Sequence, residues 1–157
     1  RQRRSSAFRS TLVHMRVMGL DIGEKRIGVA VADTTTGIAA PLRVMDAHEV
    51  LDNARPWRML VQDHEPEMLV CGLPKTMRGG VGHQATRIRE QAERIARTCG
   101  LPVEFVDERL SSAEAKRLLR EQGLSERDMR GKIDSVAASL FLETWLAAHG
   151  EDKMEEQ

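Results

Sequence analysis

Apolar residues recur along the chain with two different spacings, and the spacing separates predicted strands from predicted helices. Short runs that are apolar throughout or alternate with polar residues predict strands, and stripes at every third or fourth position predict helices. The predicted strands are residues 16–22, 25–33, 37–45, 67–72 and 103–107. The predicted helices are residues 47–64, with a break or kink at Pro56, residues 83–99, residues 111 to about 123, and residues 131–148. The resulting order is βββαβαβαα.

The lengths of the connections predict how the strands run. Only Gly23-Glu24 joins the first two strands, and the third follows a turn at residues 34–37. Hairpins this short make the first three strands antiparallel. The last two strands are each reached through a helix, and such crossovers make strands parallel. The sequence therefore predicts an α/β fold on a mixed sheet, with three antiparallel strands followed by two parallel strands.

Size and composition limit the class of protein. The chain has 157 residues, which favours one compact domain, and we place it at residues 15–150. Residues 1–14 are a basic N-terminal arm or a cloning remnant, with Met15 and Met18 as candidate native starts, and residues 151–157 are an acidic tail. A formal net charge of zero provides no global basic field that would indicate a nucleic-acid partner. With two cysteines that lack CxxC spacing and no apolar run of about 18 residues, we expect a cytoplasmic protein without a membrane span.

Asp21 is the most informative residue, because it interrupts an apolar strand. A carboxylate buried in a sheet costs several kcal/mol unless it is paired or holds a metal ion. Gly23 follows it directly and Gly28 lies in the next strand, where a backbone or a phosphate can approach closely. This segment suits a metal-assisted phosphate site. It equally suits an ordinary hairpin with Asp21 turned to solvent at a strand end.

Other acids lie where elements end or begin. Asp107 and Glu108 close the last strand, and Asp134 is in the first turn of the last helix. Ligands gather at the carboxyl ends of parallel strands, so these acids are expected to converge with Asp21. Carboxylates suit Mg²⁺ or Mn²⁺, and two such ions about 4 Å apart can assist phosphodiester hydrolysis. Taken singly, Asp134 also suits a helix dipole, and Glu108 beside Arg109 also suits a surface ion pair.

Basic residues accompany these acids. Lys75 and Arg78 lie in the glycine-containing loop 72–84, which either presents backbone N–H groups to a nucleic-acid backbone or is a lid without a ligand. Lys25 and Arg26 beside Asp21 either hold phosphate or compensate the acids. The candidate nucleic-acid-binding residues are Lys25, Arg26, Lys75, Arg78, Arg109 and Lys132.

Four motifs, taken in order, resemble the YqgF/RuvX family, the Holliday-junction-resolvase-like branch of the RNase H superfamily. The matching segments are DIGEKRIGVAVAD at 21–33, GLPKTMRGG with GHQA at 72–85, DERLSSAEAKRLL at 107–119, and KIDSVAASLFLETWL at 132–146. The resemblance implies an RNase H-like fold with a five-stranded mixed sheet and helices on both faces. It also implies divalent metal bound by Asp21, by Asp107 or Glu108, and by Asp134, and nuclease action on structured nucleic acid.

The resemblance includes one departure. Resolvases of the RuvC type carry an acid at the end of the fourth strand, where this chain has Gly72. The acid comes one strand later, at Asp107 or Glu108. If the strand order is 3-2-1-4-5, the fifth strand is about 10 Å from the first. Strand alternation turns only one of these two acids inward, and the sequence leaves open which one.

The leading hypothesis is an endonuclease that acts either on the 5′ region of precursor 16S rRNA or on four-way DNA junctions. A four-way junction would require a homodimer, whereas RNA processing could be done by a monomer. The alternative is a non-catalytic protein that binds structured nucleic acid. An ATPase of the sugar-kinase or actin type is disfavoured, because 157 residues cannot supply its two domains.

Overall fold

The computed structural model describes residues 14–74, 82–107 and 111–154. These residues form five strands and six helices. The strands are β1 (Arg16–Ile22), β2 (Arg26–Asp33), β3 (Ile38–Asp46), β4 (Met68–Leu73) and β5 (Val103–Asp107). The helices are α1 (Ala47–Leu51), α2 (Arg55–His64), α3 (Gly82–Cys99), α4 (Ser111–Glu121), α5 (Glu126–Arg130) and α6 (Ile133–Met154). None of these helices has the length and apolar character needed to cross a membrane.

The strands form one mixed sheet with the order β3-β2-β1-β4-β5. β1 pairs antiparallel with β2, and β2 pairs antiparallel with β3. β1 also pairs in parallel with β4, and β4 pairs in parallel with β5. The predicted mixed sheet and its strand directions are therefore confirmed. β1 is the central strand, which places Asp21 in the middle of the sheet.

The two faces of the sheet are covered by different helices. Met18 and Leu20 of β1 pack with Trp57 of α2 and Ile88 of α3, on what we call the α3 face. Val17 of β1 packs instead with apolar residues of α6, on what we call the α6 face. Strand side chains alternate between faces, so odd-numbered residues of β1 lie on the α6 face. α4 packs against the outer side of α6 through a smaller cluster.

The structure differs from the predicted elements in two places. The break predicted within residues 47–64 is present and separates two helices, but the chain turns at Asn53, where φ is +52°, rather than at Pro56. Pro56 lies in the first turn of α2, where its missing N–H leaves no hydrogen bond unmade, and it does not kink a longer helix. The short helix α5 was not predicted, and Ser125 caps it by accepting a hydrogen bond from the backbone N–H of Asp128.

Candidate metal-binding active site

Asp21 and Asp134 are brought together through Gly28. The Cα atoms of Asp21 and Gly28 are direct partners in the β1–β2 ladder. A Cβ atom at Gly28 would lie 2.0 Å from the backbone carbonyl carbon and oxygen of Asp134. The first turn of α6 therefore rests on the strand position opposite Asp21. Residues far apart in sequence become neighbours because position 28 has no side chain.

Asp21 and Asp134 also lie on the same face of the sheet. A Cβ atom at Gly19 would lie 2.7 Å from Leu142 Cγ of α6, so Gly19 is on the α6 face. Asp21 is two residues further along β1 and shares that face. Its cross-strand partner Gly28 is covered by Asp134 on the same face. The sheet thus presents Asp21 toward the helix end that carries Asp134.

The environment of Asp134 favours a bound cation. Its side chain is 27% exposed, and Arg26 Nε lies 3.5 Å from its Oδ2 atom. Burial raises the pKa of the Asp134 carboxyl above its usual value, and Arg26 opposes this by its charge and hydrogen bond. A partly buried carboxylate of this kind gains free energy when a further positive charge approaches.

The donor set fits a hard divalent ion. Asp21 and Asp134 supply carboxylate oxygens, which Mg²⁺ and Mn²⁺ prefer over nitrogen or sulfur ligands. Asp21 is half-buried and Asp134 is half-buried, so neither carboxylate is fully solvated by water. The residues present therefore fit the metal that the sequence resemblance implies.

Asp107 lies on the other face of the sheet. Phe105 is on the α3 face, because the guanidinium carbon of Arg89 in α3 lies 4.4 Å from the centre of its ring. Glu104 is on the α6 face, because its carboxylate accepts a hydrogen bond from the indole N–H of Trp145. By alternation Asp107 follows Phe105, away from Asp21. Its strand is also two spacings, or about 10 Å, from β1.

Gly72 explains the departure from the RuvC pattern. A Cβ atom at this position would lie 2.4 Å from Cε2 of Phe141, a fully buried ring of α6. The end of β4 therefore has no room for the acid that RuvC-type resolvases carry there. β4 therefore does not offer a carboxylate on the α6 face at this position.

The remaining predicted site residues fall into two groups. Lys25 and Lys132 are exposed, and Lys132 precedes Asp134 by two residues, at the start of α6. Arg26 is also exposed, and its guanidinium forms an ion pair with Asp134. Four predicted residues lie outside the described residues, and these are Lys75, Arg78, Glu108 and Arg109.

One group of potential ligands was not predicted from the sequence. Asp46, His48 and Glu49 each offer a ligand atom, and these atoms all lie within 4.8 Å of one another where β3 passes into α1. Asp46 is the ladder partner of Arg26, so this group borders the site described above. The spacing Asp-x-His-Glu is the feature of the sequence that would have indicated it. Asp46 and His48 are exposed, and such groups are common without an ion.

Comparisons with known proteins identify the family of the chain. A sequence profile of the RuvX family, described as Holliday junction resolvase, matches residues 15–148. A relative from Acaryochloris marina (strain MBIC 11017) is 43% identical over 129 residues, which cover 82% of this chain and 90% of that protein. A relative from Anaeromyxobacter sp. (strain Fw109-5) is 42% identical over 139 residues, which cover 84% of this chain and 96% of that protein. Both are named as proposed pre-16S rRNA nucleases.

A solved structure supports the same assignment at the level of the fold. The structure of T. thermophilus RuvC in complex with a Holliday junction substrate matches with a TM-score of 0.51 at 18% identity. The match covers 88% of this chain and 97% of that chain. At this identity the likeness shows the fold alone, which is that of RuvC-like proteins with an RNase H fold. The profile and the relatives establish that the chain belongs to the RuvX family of Holliday-junction-resolvase-like nucleases.

Proposed function

We propose that the protein is a divalent-metal-dependent endonuclease that hydrolyses phosphodiester bonds in structured nucleic acid. The observation that carries this proposal is the close approach of the Gly28 position to the backbone of Asp134, which brings the positions of Asp21 and Asp134 together on the α6 face. A cation bound between carboxylates at neighbouring positions lowers the cost of their charges. Membership of a nuclease family supports a metal that acts on phosphodiesters.

In the proposed reaction a water molecule attacks the scissile phosphorus and the alkoxide leaves. Bound Mg²⁺ or Mn²⁺, as one ion or two, would supply Lewis acidity and an activated water. We propose that Asp21, from the centre of the sheet, and Asp134, from the start of α6, would hold the metal. Lys25 and Lys132 flank the site and are proposed to bind phosphates of the substrate.

Glu108 is the proposed third carboxylate ligand, in preference to Asp107. Asp107 is two residues after Phe105 in β5, so alternation along the strand puts both on the α3 face. This supports Glu108 as the ligand. Gly72 cannot be replaced by an acid without displacing Phe141, so β4 cannot supply the ligand. Of the two acids of the DER motif that the resemblance implies, Glu108 is therefore the one that we propose.

The proposed substrate is precursor 16S rRNA, cleaved near its 5′ end. Relatives with 42% and 43% identity carry names that propose nuclease action on pre-16S rRNA. A four-way DNA junction is the second candidate, supported by the description of the family profile. A non-catalytic protein that binds structured nucleic acid remains the alternative that the following experiment excludes or supports.

Replacing Asp21 with Asn is expected to lower Mn²⁺- or Mg²⁺-dependent cleavage by on the order of 10²–10³-fold, because the central ligand loses its charge. Cleavage of labelled RNA containing the 16S leader measures this effect. We expect a similar loss for Glu108→Gln and a much smaller one for Asp107→Asn.

Asp33→Asn is the matched control, because Asp33 is at the opposite end of the β1–β2 ladder, where it pairs with Arg16. This variant is expected to cleave as the unmodified protein does. Full activity of Asp21→Asn would refute the proposed metal site. Binding of the RNA without cleavage under any divalent metal would support the non-catalytic alternative.

A further inference from the structure

Arg26 occupies an unusual position for a residue that was predicted to bind nucleic acid. It begins β2 two residues before Gly28, so both lie on the α6 face. Its Nε atom lies 3.5 Å from Oδ2 of Asp134, with the arginine side chain 56% exposed and the aspartate 27% exposed. The guanidinium thus approaches the proposed metal ligand from the solvent side.

A guanidinium and a divalent ion compete for the same carboxylate. An oxygen of Asp134 that binds Mg²⁺ or Mn²⁺ directly has fewer lone pairs for Arg26, and the ion repels the guanidinium. The aliphatic stem and high exposure of Arg26 let its head group move away at little cost. Metal binding is therefore an exchange of one cation for another at Asp134.

We propose that Arg26 is the internal counter-ion of the metal-free enzyme, which holds the Asp134 carboxylate in place and is displaced from it when the divalent ion binds. The inference rests on the proposed function, since it concerns the same site. Arg26 is a positioning residue in this role. Once displaced, its guanidinium remains on the α6 face, where it can pair with a phosphate of the substrate.

If Arg26 competes with the metal, replacing it should strengthen metal binding. Replacing a residue that helps to bind the metal would weaken it. Arg26→Gln removes a competing positive charge, so Mn²⁺ should bind roughly three- to tenfold more tightly, as expected for an ion pair of this exposure acting beside a divalent ion. Arg26→Lys keeps the charge and should bind Mn²⁺ within about twofold of the unmodified protein. Free Mn²⁺ is measured by its electron paramagnetic resonance signal during titration, which requires no catalytic activity.

A stability measurement separates this role from a purely structural one. Arg26→Gln should lower the midpoint of urea unfolding in chelator but not in saturating Mn²⁺, because the counter-ion contact exists only without the metal. A merely structural contact would lower both midpoints equally. Arg43→Gln is the matched control: it removes one positive charge from the neighbouring strand, where Arg43 is the partner of Val29 on the α3 face, and should change neither quantity.

The outcomes distinguish the inference from the function on which it rests. If the unmodified protein binds Mn²⁺ and Arg26→Gln binds it equally or more weakly, the counter-ion role is overturned and the proposed metal site stands. Equal losses of stability with and without Mn²⁺ also overturn it. If the unmodified protein binds no Mn²⁺, the proposed metal site itself fails, and the exchange at Asp134 fails with it.

Discussion

At the scale of the residue, the partly buried carboxyl of Asp134 lowers the stability of the metal-free protein. Burial raises the pKa of its carboxyl, and Arg26 reduces that shift without being the dominant influence. The folded state therefore holds the proton more tightly than the unfolded state does. As the pH rises from the ordinary pKa to the raised one, the unfolded chain loses its proton first, and stability falls.

Asp134→Asn should consequently stabilise the metal-free protein at neutral pH. We expect a rise in Tm of roughly 1–4 °C in chelator, since the buried charge is removed, and the gain should shrink as the pH is lowered toward the ordinary aspartate pKa. Thermal unfolding across that pH range measures it. Saturating Mn²⁺ should reverse the order, because the aspartate at position 134 binds the ion more tightly than an asparagine would. A variant that is less stable than the unmodified protein in chelator would contradict this assignment.

Asp33 provides a comparison of opposite sign. The backbone N–H of Thr35 donates a hydrogen bond to its Oδ1 atom at 2.7 Å, and this bond lowers the pKa of Asp33. A lowered pKa stabilises the fold at neutral pH and the benefit is lost as the pH falls. Asp33→Asn should therefore not gain stability at neutral pH, which separates an effect of burial from a general effect of removing one negative charge.

At the scale of the element, the position of α6 determines whether the two acids meet. Gly28→Ala places a methyl group 2.0 Å from the backbone of Asp134, so the first turn of the helix has to move. We expect a loss of about 1–3 kcal/mol in the free energy of unfolding and at least tenfold weaker Mn²⁺ binding. Urea unfolding and Mn²⁺ titration measure the two effects.

Gly131→Ala is the matched control for this substitution. Gly131 precedes α6 with φ −81°, and a Cβ atom there would have only Asp128 O nearby, at 3.9 Å. Alanine should therefore be tolerated at this position, with Mn²⁺ binding unchanged. If Gly28→Ala behaved in the same way as Gly131→Ala, the close approach of α6 to β2 would not be what assembles the site.

The elements were largely predictable, whereas their contacts were only partly so. Hairpin lengths and helical crossovers determine strand direction, and both are visible in the sequence. The sequence predicted that a backbone or a phosphate could approach Gly28 closely, but it did not show that the backbone would be that of Asp134 in the last helix. Likewise, the face of the sheet on which Asp107 lies could not be determined from the sequence. Alternation along the strand assigns it only once the helix that covers each face is known.

At the scale of the whole molecule, the number of active sites limits the substrate. Symmetric cleavage of a four-way junction requires two sites, and therefore two copies of this chain, whereas one copy suffices to cleave an RNA strand. With Mn²⁺, we expect RNA containing the 16S leader to be cleaved at least about tenfold faster than a four-way DNA junction, a difference of roughly 1.4 kcal/mol in activation free energy. Light scattering under the same conditions should report the mass of a single chain.

One outcome of the same assay would contradict the expected preference for RNA. Paired, symmetric cuts in the junction by a species with twice the mass of the chain would assign the protein to DNA junctions. Asp21→Asn is included in both arms, because cleavage at the proposed metal site should be strongly reduced in this variant. A junction activity that depends on Asp21 would keep the metal site and change only the proposed substrate.

The packing of α6 over Gly28 also affects when the protein can become active while it is being synthesised. Asp21 and Asp134 are separated by about 110 residues of sequence, so the ribosome adds the second acid long after the first. At typical elongation rates that interval is roughly 6–23 s. During this interval the nascent chain contains Asp21 but not yet Asp134. A nuclease with the proposed site would be silent while it is being translated and would acquire activity only when α6 has left the ribosome and packed on the sheet.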